Sequence, residues 1–407
     1  MNVLFLSLGR YWSIKESEGY TDLLREFIRK GHEVYIVSPT ERREGKKTQL
    51  IKEEGSVILK VKTGNIQKTN FIEKGISTIL IEFQFLKAIK RYFSNINFDL
   101  ILYPTPPITF VKDIEYIKKR DNAKTYLLLK DIFPQNAVDI GIMSKSGMKG
   151  FLYNYFRKKE KKLYQISDTI GCMSQANVEY IYKHNPEVDP SIVEICPNVI
   201  EIVDKSICFD ARQRIRKKYN VPLDKTVFVY GGNLGRPQGI DFLIKCIESR
   251  KEDEDSFFLV IGDGTEYHKL EEFCNTAKQK NFKLMKRLPK EDYDTLIAAC
   301  DIGLIFLDYR FTIPNFPSRL LGYMQAKLPV LACTDPNTDI GKIIIDGGFG
   351  WWCESNDIDA FNKNIDMALQ SETGSLGIKG YEYLRENYTV EKGYEIITKR
   401  LKRGLIV

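Results

Sequence analysis

Two arginines among glycines, prolines and small polar residues suggest a site for an anion. The stretch Asn315 to Ala332 reads NFPSRLLGYMQAKLPVLA and follows Ile302 to Leu307 (IGLIFL), an apolar run of strand type. Pro314 and Pro317 forbid regular structure. Ser318 suits a helix N-cap, and Arg319 to Ala326 has helical spacing, with Leu320, Leu321 and Met324 on one face. Pro329 ends that helix and Val330 to Thr334 resumes as a strand. In this order the helix start falls at the carboxyl edge of a parallel sheet. The N–H groups of Ser318, Arg319 and Leu320 would point out of the edge, backed by the helix dipole, and such an end binds phosphate. An ordinary αβ connection has the same pattern, so this stretch alone leaves both readings open.

Two further loops strengthen the anion reading. Gly231 to Gly239 (GGNLGRPQG) follows the strand-like VFVY; glycines such as Gly232 allow close backbone approach, and Arg236 can meet a phosphate bidentately. Gly262, Asp263 and Gly264 follow FFLVI, where backbone groups can line a nucleotide. Three loops that each follow a strand reach one sheet edge. A pair of phosphates between Arg236 and the Ser318 end satisfies all three.

The elements that must hold these loops read as α/β. Val3 to Leu8, a helix over Tyr20 to Lys30 and a strand over Val34 to Val37 form a βαβ opening without GxGxxG, so a dinucleotide cofactor is not indicated. Leu100 to Tyr103, Thr125 to Lys130, Thr169 to Met173 and Val193 to Cys196 continue a parallel series. Val199 to Asp224 is polar and marks a domain joint, after which Val227 to Tyr230 starts a second series. The expected domains are 1–200, 201–385 and a terminal helical segment, 386–407.

Composition bounds the function. The chain has 407 residues, 61 Lys and Arg against 54 Asp and Glu, and a net charge of +7, which suits an anionic substrate or membrane face and carries no nucleic-acid module signature. Eight cysteines form no CxxC pair and read as reduced thiols; three scattered histidines offer no metal motif, so neither metal nor cofactor is expected. No signal peptide or spanning run is apparent, which implies a cytoplasmic protein that is soluble or bound only at a membrane surface. Two helices suit such a surface. Ile76 to Phe93 is apolar around much of its circumference, and Met148 to Tyr164 sets Phe151, Leu152, Tyr155 and Phe156 beside Arg157, Lys158, Lys159, Lys161 and Lys162. A core helix with a solvated charged end is the plainer reading of the second.

GGNLGRPQGIDFLI, LVIGDGTEYHKLEEF, LPKEDYDTLIAACDIGLIFLD and FPSRLLGYMQAKLPVLA occur in that order, after RKGHEVYIVSP, SQANVEYI and CPNVIE. Together these resemble glycosyltransferase family four, the retaining nucleotide-sugar enzymes of GT-B fold. LKDIFPQNAVDIG resembles the branch that builds capsule and O-antigen chains, aminosugar transferases included. The resemblance implies two tandem Rossmann-like domains facing across a cleft, the acceptor in the first and the donor in the second. It implies a last helix crossing back to the first domain, a lipid-linked saccharide acceptor and no bound metal. The donor would meet Gly232, Asn233, Gln238, Gly262, Asp263, Gly264, Arg287, Leu288, Asn315, Pro317, Ser318 and Leu320, and the acceptor Arg10 and Tyr20. Arg236 and Arg319 would stabilise the leaving diphosphate. Asp131 would orient acceptor or donor sugar, beside Lys130 at the position where many members carry a histidine; a loop or N-cap carboxylate is the plainer reading of Asp131.

The match departs from the family at named positions. Its two acidic residues, eight apart, fall on Pro314 and Gly322, and its Arg and Lys of the first loop fall on Asn233 and Gln238. Two other readings therefore accompany the transferase: a nucleotide-sugar 2-epimerase, and a non-catalytic nucleotide-sugar-binding subunit that supports a partner transferase.

Overall fold

The computed structural model describes residues 1–17, 19–66, 71–277 and 279–403. It divides into two compact units, Met1–Glu201 with Val390–Val407, and Ile202–Thr389.

The first unit is built on an eight-stranded sheet: β1 (Asn2–Leu6), β2 (Glu33–Glu41), β3 (Gln49–Glu53), β4 (Ser56–Thr63), β5 (Leu100–Pro104), β6 (Lys124–Leu129), β7 (Thr169–Cys172) and β8 (Val193–Ile195). Their order is β3-β4-β2-β1-β5-β6-β7-β8. Side chains alternate between two cores, as a strand with both faces covered requires. Val3, Phe5, Leu100 and Leu102 join one cluster, and Leu4, Leu6, Ile101 and Tyr103 the other. The helix Val390–Arg403 seals the first cluster through Ile397. Tyr394 of that helix packs edge-on to Phe27, and its hydroxyl lies 2.9 Å from His32 Nε2.

One feature corrects the purely parallel reading: β3 runs antiparallel to β4, with Ile51 opposite Ile58. Its sequence, QLIKE, is half exposed and sits at the sheet edge, so no continuous apolar run marks it.

The second unit holds β9 (Thr226–Asn233), β10 (Ser256–Asp263), β11 (Phe282–Lys286), β12 (Ile302–Phe306), β13 (Val330–Thr334) and β14 (Gly350–Glu354). They form one parallel sheet in the order β11-β10-β9-β12-β13-β14. The chain moves outward one way from β9 and the other way from β12, so the order reverses between these two strands. Open α/β sheets hold ligands beyond the carboxyl ends of strands at such a reversal. The polar stretch 199–224 contains a helix, Phe209–Lys218, anchored by buried Arg216, whose guanidinium pairs with Asp301.

Among the described residues, no helix is long and apolar enough to cross a membrane.

Candidate active site

The reversal between β9 and β12 is held open by a tyrosine. The strands pair at Ile302–Phe228 and Gly303–Val229. Beyond that point the Tyr323 hydroxyl lies 3.2 Å from Val229 O and 3.1 Å from Leu304 O, and accepts the Gly231 N–H at 3.1 Å. Tyr323 comes from the helix Arg319–Gln325, so this bond fixes that helix against the mouth of the two strands.

Arg319, first in the helix, lies in the mouth. Its guanidinium carbon is 4.3 Å from the centroid of the Tyr230 ring, and Nη2 donates to Gln238 Oε1 at 2.8 Å. The Tyr230 hydroxyl holds the same loop by donating to Asn233 O at 2.8 Å. Arg319 Nη1 is buried and finds no acceptor in the protein. A guanidinium that is stacked and half-satisfied has fixed geometry and unused donors, which suits an incoming phosphate oxygen. Gly232 lines this group in the left-handed region at φ +123, and a Cβ there would lie 3.7 Å from the guanidinium.

The remaining expected donor residues share this carboxyl edge in different ways. Gly232, Asn233 and Asp263 are exposed at the ends of β9 and β10, and Arg287 and Leu288 follow β11. Gly262 is close-packed: a Cβ there would lie 2.0 Å from Gly232 O. Leu234 N–H donates to Asp263 O at 3.0 Å, so these two loops brace one another. Asn315 and Pro317 are half-buried, Ser318 is exposed and Leu320 is buried.

Three expectations change. Ser318 occupies the cap position with helical backbone angles and makes no side-chain cap, and the Leu320 N–H already donates to Pro317 O at 3.2 Å. The helix end thus offers fewer free donors than a regular first turn, because the chain enters it through a tight turn after Pro317. Arg236 is directed to Glu266, 3.5 Å away, with a half-exposed side chain; Arg319 is the enclosed arginine. In the helix Gly147–Ile166, Arg157, Lys159, Lys161 and Lys162 pair with Glu160, Glu82, Glu187 and Glu115, so most of its positive charge is neutralised within the fold.

The first unit gathers its polar residues at the equivalent edge, after β1, β5 and β6. Thr105 accepts the Lys130 and Asp131 N–H groups on its hydroxyl at 3.1 and 3.2 Å. Asp131 Oδ2 accepts from Asn136 Nδ2 at 2.7 Å, while its Oδ1 is buried without a partner. Burial pushes this carboxyl up to about 6. Lys130 Nζ donates to Cys196 O at 3.0 Å, and burial lowers its pKa. Tyr20 packs at a tilt against Phe5, 5.3 Å between ring centroids; burial raises the pKa of its hydroxyl, helped by the charges of neighbouring groups including Asp131. Arg10 is exposed and pairs with Glu44 at 3.4 Å. The sequence attaches no site role to Tyr230, Tyr323 or Asp335; a tyrosine within the otherwise apolar face of LLGYMQ is the one signal for Tyr323.

Comparison with known proteins agrees with this geometry. Residues 211–388, which include every element of the β9/β12 mouth, match the family described as Glycosyl transferases group 1. The Pseudomonas aeruginosa protein named Probable glycosyltransferase WbjE is 28% identical over 329 residues, 79% of this chain and 78% of its own length. WcaI of Escherichia coli (strain K12), named for colanic acid biosynthesis glycosyl transfer, is 24% identical over 276 residues, 67% of this chain and 66% of its own. Among solved structures, sucrose-phosphate synthase from Thermosynechococcus elongatus superposes with a TM-score of 0.77 at 14% identity, covering 99% of this chain and 98% of that one. Anabaena HepE in complex with UDP and glucose gives 0.72 at 13% identity, covering 99% and 100%. The fold is GT-B, two Rossmann-like parallel-sheet domains in tandem. The chain is a glycosyltransferase that is similar, over residues 211–388, to the group 1 glycosyl transferases.

Proposed function

We propose that this glycosyltransferase moves a sugar, with retention at the anomeric carbon, from a nucleotide-diphosphate sugar to a lipid-linked saccharide during bacterial surface polysaccharide synthesis. The observation that carries this reading is the stacked Arg319 with its unused Nη1 at the β9/β12 mouth. The UDP and glucose named with HepE and the colanic acid biosynthesis named with WcaI support it. The resemblance to the O-antigen branch adds an aminosugar as the transferred group.

In the reaction, the bond from the anomeric carbon to the diphosphate oxygen breaks while the acceptor oxygen bonds on the same face. Negative charge grows on the leaving diphosphate, and Arg319 with the exposed end of the first loop stabilises it. The acceptor proton passes to the leaving phosphate, so no protein nucleophile is needed. Asp131 Oδ1 accepts a hydrogen bond from a sugar hydroxyl and sets its orientation. Lys130, tied to Cys196, keeps that edge in place.

The acceptor's lipid brings the first unit to an anionic membrane surface. Ile79, Leu80 and Phe83 on the helix Phe71–Tyr92 are exposed, as are Phe151 and Tyr155 on Gly147–Ile166. Lys159 on one helix pairs with Glu82 on the other at 3.1 Å, which joins the two apolar stripes. Unpaired Lys158 and Lys112, the latter over the Phe83 ring, flank them. Apolar contact therefore contributes more to docking than charge does.

Transfer is tested by incubating the protein with radiolabelled uridine, guanosine and thymidine diphosphate sugars and a bacterial lipid extract. Label in a lipid product with the donor's anomeric configuration is expected. Epimerised donor without lipid product, or donor binding without turnover, would replace this reading with one of the two other readings.

A further inference from the structure

We infer that the turn Asp335–Thr338, directly after β13, is the positioning element of the donor site: it clamps the loop between Leu307 and Ser318 and aims the Asn315 carboxamide at an oxygen of the bound nucleotide sugar. The inference rests on the reading that the β9/β12 mouth takes the donor.

Asp335 is wholly buried at the end of β13. Its Oδ1 accepts the N–H groups of Asn337 at 2.9 Å and Thr338 at 3.2 Å, which closes a tight turn on one carboxylate oxygen. The two residues so fixed both reach the neighbouring loop. Asn337 Nδ2 donates to Phe311 O at 2.6 Å, and the Thr338 hydroxyl donates to Asn315 O at 2.5 Å. The loop backbone is thus tied at two points four residues apart, just ahead of Pro317, Ser318 and Arg319.

Asn315 is the residue this clamp controls. Its main-chain oxygen is held by Thr338, while its side-chain Nδ2 is buried and finds no acceptor in the protein. A buried amide donor without a partner is costly, and the cost is relieved when a ligand oxygen supplies the bond. Asn315 lies four residues before Arg319, whose Nη1 has the same unmet need. Two unsatisfied donors on one short segment, the first held by a dedicated turn, fit a ligand rich in acceptor oxygens, as a diphosphate sugar is.

The turn also predicts which substitutions are tolerated. Burial pushes the Asp335 carboxyl up to about 7, so asparagine is the near-isostere of its neutral form and keeps the oxygen that accepts both N–H groups. Serine at 338 keeps the hydroxyl; valine keeps the shape and removes it.

The test is calorimetric titration with UDP-, GDP- and dTDP-linked hexoses and N-acetylhexosamines, with melting temperature measured alongside. Thr338→Val, Asn315→Ala and Asp335→Ala should each weaken binding of the hexose or hexosamine donor that the unmodified protein takes by about ten-fold. Thr338→Ser and Asp335→Asn should stay within about three-fold. Thr338→Val combined with Asn315→Ala should lose no more than Asn315→Ala alone, since the clamp acts through Asn315. A merely structural turn would lower the melting temperature without this coupling. Donor binding retained in Thr338→Val and Asp335→Ala but lost in Arg319→Ala would overturn the clamp and spare the donor site. Binding unaffected by Arg319→Ala, or absent for the whole panel, would overturn both.

Discussion

The Arg319 guanidinium lies 4.3 Å over the ring of Tyr230 and donates 2.8 Å to Gln238 Oε1, which joins the start of one helix to the loop after β9. The family pattern places basic side chains at positions that are Asn233 and Gln238 here. Gln238 instead orients an arginine that comes from across the strand reversal. In the proposed donor site the charge expected of the loop after β9 would thus come from Arg319.

In the proposed reaction Asp131 makes the chemistry pH-dependent with a definite sign. Its carboxyl is raised to about 6, so between about pH 4, where a free aspartate titrates, and pH 6 the folded protein holds a proton the unfolded chain has lost. The stability due to this group is fully present below about pH 4 and is lost as pH rises through about 6. Activity, if the proposed reaction uses the ionised oxygen, should move oppositely and fall below about pH 6. Asp131→Asn should remove that acid limb, lower transfer by at least ten-fold and leave melting at pH 7.5 equal to or above that of the unmodified protein. A pH–rate profile and melting curves at pH 5 and 7.5 measure both.

Gly322 gives a second test. Apart from its chain neighbours and the helix's own backbone, no atom lies within 4 Å of the position a Cβ would take, although the residue is inside a helix. Gly322→Ala should therefore stabilise the protein by about 0.5–1 kcal/mol, the helix penalty of glycine. Gly322→Glu places a carboxylate where the family has one and should tighten nucleoside diphosphate binding if that group reaches the ribose. Unchanged affinity in a correctly folded Gly322→Glu protein would show that this site recognises the ribose without position 322.

Phe151 is 84% exposed, more than any other large apolar residue described. Burying such a side chain contributes about 1.5–3 kcal/mol, so Phe151→Ser should weaken binding to phosphatidylglycerol vesicles by about ten-fold or more with melting unchanged. Lys159→Glu is a poorer probe, because it would leave buried Glu82 without its cation and destabilise the fold. Vesicle co-sedimentation unaffected by Phe151→Ser would remove the membrane role of that helix.

The legible parts of this chain were those written in local patterns. The apolar runs before the loops located most strands of both sheets, and the prolines around Arg319 located the segment proposed to meet the anion. Strand β3 escaped because a half-exposed edge strand has no apolar run, its neighbour β4 because Lys60 and Lys62 interrupt its apolar pattern, and the helix Phe209–Lys218 because only Arg216 of its residues is buried. The partners of Arg319 escaped for another reason. Tyr230 and Gln238 lie more than eighty residues away, and local spacing carries no record of such contacts. The Asp335–Thr338 clamp likewise reads as an ordinary turn, TDPNT, until its bonds to Phe311 and Asn315 are seen.

The most direct test of the account is calorimetric titration of the unmodified protein and Arg319→Ala with uridine, guanosine and thymidine diphosphates. A charge-assisted hydrogen bond contributes roughly 1.5–3 kcal/mol, so the one diphosphate that binds should lose about 10- to 150-fold in affinity on removal of Arg319. Arg319→Lys, which keeps the charge and loses the fork, should fall between the two. Equal affinity in the unmodified protein and Arg319→Ala would contradict the assignment of the diphosphate to the β9/β12 mouth.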